Sequence, residues 1–205
     1  MIKRLNEHID YLPSDDKNGP CPKIVIFHGE EATLLLDVST NKERLDEVLS
    51  FIKEKDYPSL RYVALTHFHD DHTSNLMYLD DDIEILCSKN TARYLSRKST
   101  LVEKDEDFDL GNYTIRLILV PSLHAKGCLD VLADSYLFVG DSLYYRQSGS
   151  SYYYNHEIAY EMLRKYEGID FKTSISAHDQ NDESKEEVIS FLKRLEQAPV
   201  TKIIP

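Results

Sequence analysis

Apolar residues recur along this chain in short runs that predict strands and at helical spacing that predicts amphipathic helices. In the first half, the pattern predicts strands at 4–11, 23–28, 32–38, 61–65 and 83–87, with helices at 42–55 and 89–97. In the second half, it predicts strands at 113–120, 128–132, 136–139 and 173–176, with helices at 157–166 and 185–195. The acidic run at 103–107 is interpreted as a solvated loop. Groups of strands, each followed by helices, indicate a layered α/β domain with mixed sheets.

Length and composition limit the classes of protein that this chain can represent. With 205 residues and no evident repeat or boundary, we expect one domain over 1–205. Lys and Arg number 24 against 36 Asp and Glu, and the net charge of −12 opposes general binding to nucleic-acid phosphates or anionic membranes. No apolar stretch is long enough to span a membrane, and no secretory signal is visible. Three widely spaced cysteines indicate reduced thiols, so we expect a cytoplasmic protein.

A histidine-rich sequence, THFHDDH at 66–72, follows the predicted strand 61–65. His67 and His69 lie two positions apart, so their rings can converge on one ion in an extended loop. Asp71 and His72 follow directly and can turn toward a second ion. Neutral imidazole and carboxylate are the ligands expected for zinc, iron or manganese. The motif therefore predicts a metal site, whereas Asp70 falls outside the ligand spacing and is expected to have a surface or capping role.

Four more candidates each follow an apolar strand or end one: Asp37, His124, Asp141 and His178. Open α/β sheets gather their sites at such strand ends. Taken singly, an aspartate there is more often a turn former or helix cap, and a histidine is more often a loop or core residue. Together with the motif at 66–72, however, they complete two sets of metal ligands.

This set resembles the metallo-β-lactamase superfamily in residue types, order and separation, over residues 37–178. The chain is most similar to the glyoxalase II and lactonase-like hydrolases of that superfamily. The resemblance implies a four-layer αββα sandwich with a two-metal site. It further implies that His67, His69 and His124 hold one ion, that Asp71, His72 and His178 hold the other, and that Asp141 bridges both.

The resemblance extends to one supporting residue and fails at two positions. Asp37 matches the strand-end aspartate that orients a ligand in the family. Val38-Ser39-Thr40 stands where the family usually has a glycine-containing turn, and Cys128 stands near a usual small polar residue. Neither departure touches a predicted ligand.

The implied ligands indicate a reaction class. Two divalent ions, expected to be Zn²⁺ with Fe or Mn as alternatives, can share a hydroxide that attacks a small ester, thioester or lactone. Asp71 could pass a proton to the leaving group. Two alternatives stay open: a phosphodiesterase or nuclease of the same fold, and a non-haem iron oxidoreductase acting on a thiol or sulfur substrate. The flavin-linked diiron relatives carry a carboxylate where this chain has His69, which argues against that branch.

The substrate pocket is the least determined part of the prediction. Tyr144 and Tyr145 lie in the Tyr-rich segment 144–154 just after Asp141, and Lys126 lies just after His124, so all three are candidate pocket residues. A tyrosine hydroxyl could hydrogen-bond a carbonyl oxygen in the transition state. The alternative is a loop that packs on the domain or on a second subunit. His156 is a weaker pocket candidate, His8 and His28 are expected to be structural, and the oligomeric state is left open.

Overall fold

Two β-sheets form the centre of the fold in a computed structural model that describes residues 1–17, 19–148 and 151–197. The first sheet has seven strands in chain order: β1 Lys3–Arg4, β2 Ile9–Leu12, β3 Ile24–His28, β4 Thr33–Leu36, β5 Leu60–Ala64, β6 Glu84–Ser88 and β7 Thr100–Val102. Strands β1 to β4 pair antiparallel, and β4 to β7 pair parallel. The sheet is therefore mixed, as the pattern predicts.

The second sheet has six strands. In chain order they are β8 Glu106–Asp109, β9 Thr114–Val120, β10 Cys128–Ala133, β11 Tyr136–Val139, β14 Thr173–Ser176 and β15 Glu183–Ser184. Their spatial order is β15-β14-β11-β10-β9-β8, and only the β11/β14 pair is parallel. Strands β12 Arg146–Ser148 and β13 Ser151–Tyr153 form a separate antiparallel pair, so the Tyr-rich segment is not a loop throughout.

Five α-helices complete the described structure: α1 Lys42–Glu54, α2 Asp70–Thr73, α3 Lys89–Ala92, α4 His156–Gly168 and α5 Lys185–Gln197. A 3₁₀ helix, Ser74–Tyr78, continues from α2. Side-chain oxygens of Asn41 and Asn155 cap the first turns of α1 and α4, which satisfies backbone N–H groups that lack a helical partner. None of the described helices combines the length and apolarity needed to cross a membrane.

Alternation of side chains along the strands divides the core into three apolar layers. The central layer lies between the sheets, where Phe27 of β3 meets Phe138 of β11 edge to face. The outer face of the first sheet packs against α1 through Leu45, and the outer face of the second packs against α4 and α5 through Met162 and Leu192. Burial on both faces of each sheet gives the αββα sandwich implied by the resemblance.

Three predicted elements differ from the structure. The strand at 4–11 is two short strands, β1 and β2, joined by a turn in which Leu5 N–H donates to the Ile9 carbonyl. The run at 103–107 is only partly a loop, because β8 starts at 106 and pairs with β9; alternate side chains of this edge strand are exposed, so its charges remain in water. Helix 89–97 ends after one turn at Ala92, and the chain then leads into the unpredicted strand β7.

Candidate metal centre

The predicted ligands come from four loops at one edge of the two sheets. The motif at 66–72 leaves β5 and enters α2, and the loop after β9 carries His124. Asp141 follows β11, and His178 follows β14. Because β11 and β14 are parallel neighbours, the residues that follow them emerge side by side. A backbone hydrogen bond from Leu129 N–H to the Thr66 carbonyl, 2.8 Å, joins the motif loop to the second sheet.

His67, His69 and His124 form the first of two ligand clusters. His69 Nδ1 lies 2.9 Å from His67 Nε2 and 2.9 Å from His124 Nε2. Nitrogens bound tetrahedrally at about 2.0–2.1 Å from one ion would be roughly 3.3 Å apart. The three rings therefore converge closely enough to share a single cation.

Asp71, His72, Asp141 and His178 form the second cluster, in which one ligand atom of each lies within 4.8 Å of the others. Asp71 Oδ2 is 3.3 Å from His178 Nε2 and 3.5 Å from His72 Nε2. The imidazole nitrogens and the carboxylate oxygen face a common point, so this cluster can hold a second cation.

The carboxylate of Asp141 lies between the clusters. Its Oδ2 atom is 3.4 Å from His124 Nε2 and 3.9 Å from His67 Nε2. Its Oδ1 atom is 3.6 Å from both His72 Nε2 and His178 Nε2. One oxygen thus faces each cluster, which is the arrangement that a bridging ligand requires.

Two buried atoms in the second cluster lack a hydrogen-bond partner among the described residues: His72 Nε2 and Asp141 Oδ1. An unsatisfied buried polar atom costs about 1–3 kcal/mol, so such atoms are rare without a bound group. Both face the same space, and a cation there would satisfy both at once. The donor set of imidazoles and carboxylates fits a divalent transition metal.

Asp37 orients His72 from behind the cluster. Its Oδ2 atom lies 2.7 Å from His72 Nδ1 and accepts a hydrogen bond from Thr66 Oγ1 at 2.8 Å, while its Oδ1 accepts the Thr66 backbone N–H at 2.9 Å. With Nδ1–H donated to the carboxylate, His72 turns Nε2 toward the metal position. Asp37 holds a positive φ of 57°, a conformation that aspartate tolerates better than most residues.

Ser39 occupies the turn in which the family usually has glycine. Its φ is 58°, so the left-handed backbone conformation is kept without glycine. The side chain is fully buried, and its Oγ lies 3.2 Å from Cys21 Sγ. This departure therefore preserves the turn after Asp37, at the cost of backbone strain of about 1 kcal/mol.

Burial and neighbouring charges set the protonation of the clusters. Burial first, and then the neighbouring His72, lower the pKa of His67 to about 2, so its imidazole is neutral. Burial would raise the pKa of Asp71, but the contacts with His178 and His72 bring it to about 2, so its carboxylate is ionised. Burial would lower the pKa of His72, but Asp37 and Asp141 together raise it to about 10. A cation that binds His72 Nε2 must therefore displace a proton.

Sequence reasoning missed the residues that hold His178. Asp16 Oδ1 lies 2.9 Å from His178 Nδ1, and Ser14 Oγ donates to the His178 carbonyl at 2.7 Å. Both residues lie in the polar turn that precedes β3, more than 160 positions from His178 in the chain. No local spacing connects these positions, and no sequence pattern singled out Ser14 or Asp16.

The three candidate pocket residues, Tyr144, Tyr145 and Lys126, have different surroundings. Tyr144 Oη donates to Asp179 Oδ2 at 2.8 Å, and its ring centroid is 6.1 Å from that of His178. The Tyr145 ring stacks on Phe191 at 5.8 Å, toward α5. Lys126 is exposed on the His124 loop. Their roles toward a substrate stay predictions, although the Tyr144 hydroxyl already has a protein partner.

The remaining candidates lie outside the clusters. The first residue of α4, His156, places its Nε2 against the Glu196 carbonyl. His8 stacks on Tyr113 at 4.4 Å, and His28 stacks on Tyr57 at 3.6 Å, both away from the metal ligands. Asp70 is exposed in the first turn of α2, at the surface as expected.

Comparisons with known proteins agree with this geometry. A family model described as the metallo-β-lactamase superfamily matches residues 19–85. A metallo-β-lactamase fold-containing protein, ST1585, from Sulfurisphaera tokodaii is 28% identical over 153 residues, covering 58% of this chain and 56% of that protein. The chain thus spans little more than half the length of this curated relative.

Two solved structures share the fold over nearly the whole chain. A metallo-β-lactamase from Pontibacter korlensis superposes with a TM-score of 0.73 at 16% identity, over 97% of this chain and 99% of that chain. A flavo di-iron protein from Thermotoga maritima superposes with a TM-score of 0.69 at 15% identity, over 96% of this chain and 61% of that chain. At these identities the structures establish a common fold and leave the reaction open. With the family model over residues 19–85 and the curated relative, they show that this chain is similar in sequence and in fold to the metallo-β-lactamase superfamily.

Proposed function

We propose that this protein is a two-metal hydrolase that cleaves a small ester, thioester or lactone. The observation that carries the proposal is the Asp141 carboxylate, whose two oxygens face opposite ligand clusters. When bound, two divalent ions, for which we expect Zn²⁺, supply an activated water at neutral pH and polarise the substrate carbonyl. The chain then needs no serine or cysteine nucleophile.

Asp71 is the residue that we assign to proton transfer. Its side chain is 19% exposed, and it lies within 3.5 Å of His72 and His178. Since its carboxylate is ionised, it can accept a proton from a water and pass it to the leaving oxygen or sulfur. Its low pKa makes it a weak base, so the gain from this step is small.

An apolar surface beside the first cluster supports a carbon-rich acyl group as the substrate. The Phe68 ring lies 4.8 Å from the His69 ring and stacks on Tyr94 at 4.1 Å with an interplanar angle of 18°. Tyr94 is 67% exposed although its ring is large and apolar. A substrate whose carbonyl lies at the metals could cover this aromatic pair with its acyl chain.

The burial of the three cysteines argues against a cysteine thiolate as the nucleophile. All three are free and buried, and burial raises the pKa of Cys128, the one nearest His124 in sequence, to about 12. A thiol with that pKa is protonated at neutral pH and is a poor nucleophile.

The likeness to a flavo di-iron protein makes an iron oxidoreductase the second candidate. That likeness covers 96% of this chain and 61% of the other chain. An imidazole, His69, in place of the carboxylate expected in that branch favours the hydrolase.

A metal titration followed by a substrate panel tests the proposal. Protein stripped with a chelator would be titrated with Zn²⁺, Mn²⁺ and anaerobic Fe²⁺, and bound metal would be counted per chain. The reconstituted forms would then receive ester, thioester, lactone and phosphodiester substrates, with oxygen uptake followed in parallel. We expect two ions per chain and turnover of a carboxylic ester, thioester or lactone. Saturation at one ion, turnover of phosphodiesters alone, or oxygen uptake without hydrolysis would overturn it.

A further inference from the structure

A buried lysine lies beneath the loop that carries His178. Lys23, the residue before β3, is only 5% exposed. Lysine is almost never buried to this extent without partners, because its ammonium loses its hydration. Lys23 lies next to the second ligand cluster but is not itself a metal ligand, so its burial there needs a separate explanation.

The ammonium of Lys23 donates to main-chain carbonyls on both sides of His178. Its Nζ atom donates to the Ser176 carbonyl at 2.7 Å and to the Asp179 carbonyl. Its backbone N–H donates to the Ala177 carbonyl at 2.8 Å. The segment from the end of β14 through His178 is thus held at three carbonyls, those of Ser176, Ala177 and Asp179, by the one residue that precedes β3 of the other sheet.

We infer that Lys23 is a positioning residue for the second metal, because it fixes the backbone from which His178 reaches that ion. The inference rests on the proposed two-metal centre. Asp16 holds the His178 ring and Ser14 holds its carbonyl, but neither fixes the carbonyls on either side. Without the Lys23 ammonium, the carbonyls of Ser176 and Asp179 lose this donor, and the loop can rearrange so that they bind water instead.

The first cluster does not depend on this lysine. His67 and His69 lie in the motif loop after β5. His124 lies in the loop after β9, where its own backbone N–H donates to Ser122 Oγ at 3.1 Å. Loss of Lys23 should therefore affect one of the two metals selectively. A lysine with a purely structural role would instead lower stability without separating the two binding steps.

Lys185 offers a matched control. Its Nζ atom also donates to two main-chain carbonyls, those of Glu167 and Ile169, at the junction between α4 and the loop before β14. Neither carbonyl belongs to a metal-ligand loop. The same substitution at both lysines removes a carbonyl-capping ammonium and keeps a side chain of similar length.

The test is a calorimetric Zn²⁺ titration of metal-free wild type, Lys23→Met and Lys185→Met, with thermal unfolding of each metal-free protein. For Lys23→Met we expect one binding step unchanged and the other weakened roughly 10- to 100-fold, as for residues that orient ligands. Lys185→Met should bind both ions as the wild type does. Equal weakening of both steps, or no change in either, would overturn the inference.

Two further measurements distinguish a failure of the Lys23 inference from a failure of the proposed two-metal function. If Lys23→Met does not fold, Ser14→Ala removes a weaker hold on the same loop and should weaken the same single step by a smaller factor; an unchanged step would count against the inference. If the wild type itself binds only one ion, the proposed two-metal function fails before Lys23 is tested. The two failures are therefore distinguishable in one data set.

Discussion

Asp130 gives the sharpest quantitative prediction, because it is a fully buried carboxyl whose protonation should control stability. It lies on β10, where Tyr166 Oη donates to Oδ2 at 2.5 Å and Ser142 Oγ donates to Oδ1 at 3.2 Å. Ser142 directly follows Asp141, so this network lies behind the Asp141 carboxylate. Burial, opposed by the two hydroxyl donors and the charge of Lys165, raises the pKa of Asp130 to about 7.

The sign of the effect follows from linkage between protonation and folding. A carboxyl whose pKa is higher in the folded state than its ordinary 3.8 stabilises the fold at low pH, and that stability is lost as the pH rises through 7. At 1.36 kcal/mol per tenfold change in proton affinity, a pKa rise from 3.8 to about 7 corresponds to about 4 kcal/mol in total. Roughly 2 to 3 kcal/mol of this should be lost between pH 5 and 8.

Urea unfolding of metal-free wild type and Asp130→Asn from pH 5 to 8 measures this effect directly. The asparagine cannot ionise, so the wild type should lose stability relative to the variant as the pH rises. Protons taken up by the metal-ligand histidines are common to both proteins and cancel in the difference. Asp107→Asn, at an exposed position on β8, controls for the loss of a carboxylate. A constant difference between wild type and Asp130→Asn across this range would refute the reasoning.

Three further predictions concern the centre and its surroundings. Asp141→Ala should keep the circular dichroism spectrum of the wild type but bind one ion instead of two, because the remaining ligands still form a cluster; an unfolded spectrum would contradict this. Cys128→Ser should retain hydrolysis within about twofold, since a buried thiol with a raised pKa is not the nucleophile, and an inactive variant with full metal content would point to thiolate chemistry. Tyr94→Ala should raise KM roughly five- to tenfold for long acyl substrates but not for acetyl ones, as expected from about 1 kcal/mol of lost aromatic contact. Tyr160→Ala, at an exposed position on α4, should change the KM for neither class of substrate. Equal effects of Tyr94→Ala and Tyr160→Ala would contradict the assignment of Tyr94 to the acyl-binding surface.

Much of the fold was predictable because its elements carry local patterns. The run Ile24–His28 is buried throughout, as its continuous apolar sequence predicts, and α1 buries Leu45, Val48 and Ile52 at helical spacing. Short elements with few apolar residues were harder to predict. Strand β8 is an acidic edge strand, and its pairing with β9 outweighs the preference of its charges for a loop.

The two ligand clusters of the candidate site also differ in whether their ligands are positioned by contacts that are local in sequence or by contacts that are distant in sequence. His67 and His69 lie two positions apart in one motif, whose backbone is fixed by Asp37 through Thr66, so local spacing was enough to predict that their rings converge. The position of His178 depends on Asp16 and Lys23, which lie 162 and roughly 155 residues away in the chain. Contacts at such separation leave no periodic signal, since they exist only once both sheets have formed. We therefore expect a substitution at Lys23 or Asp16 to weaken metal binding at the second cluster while leaving the histidine motif and the first cluster intact.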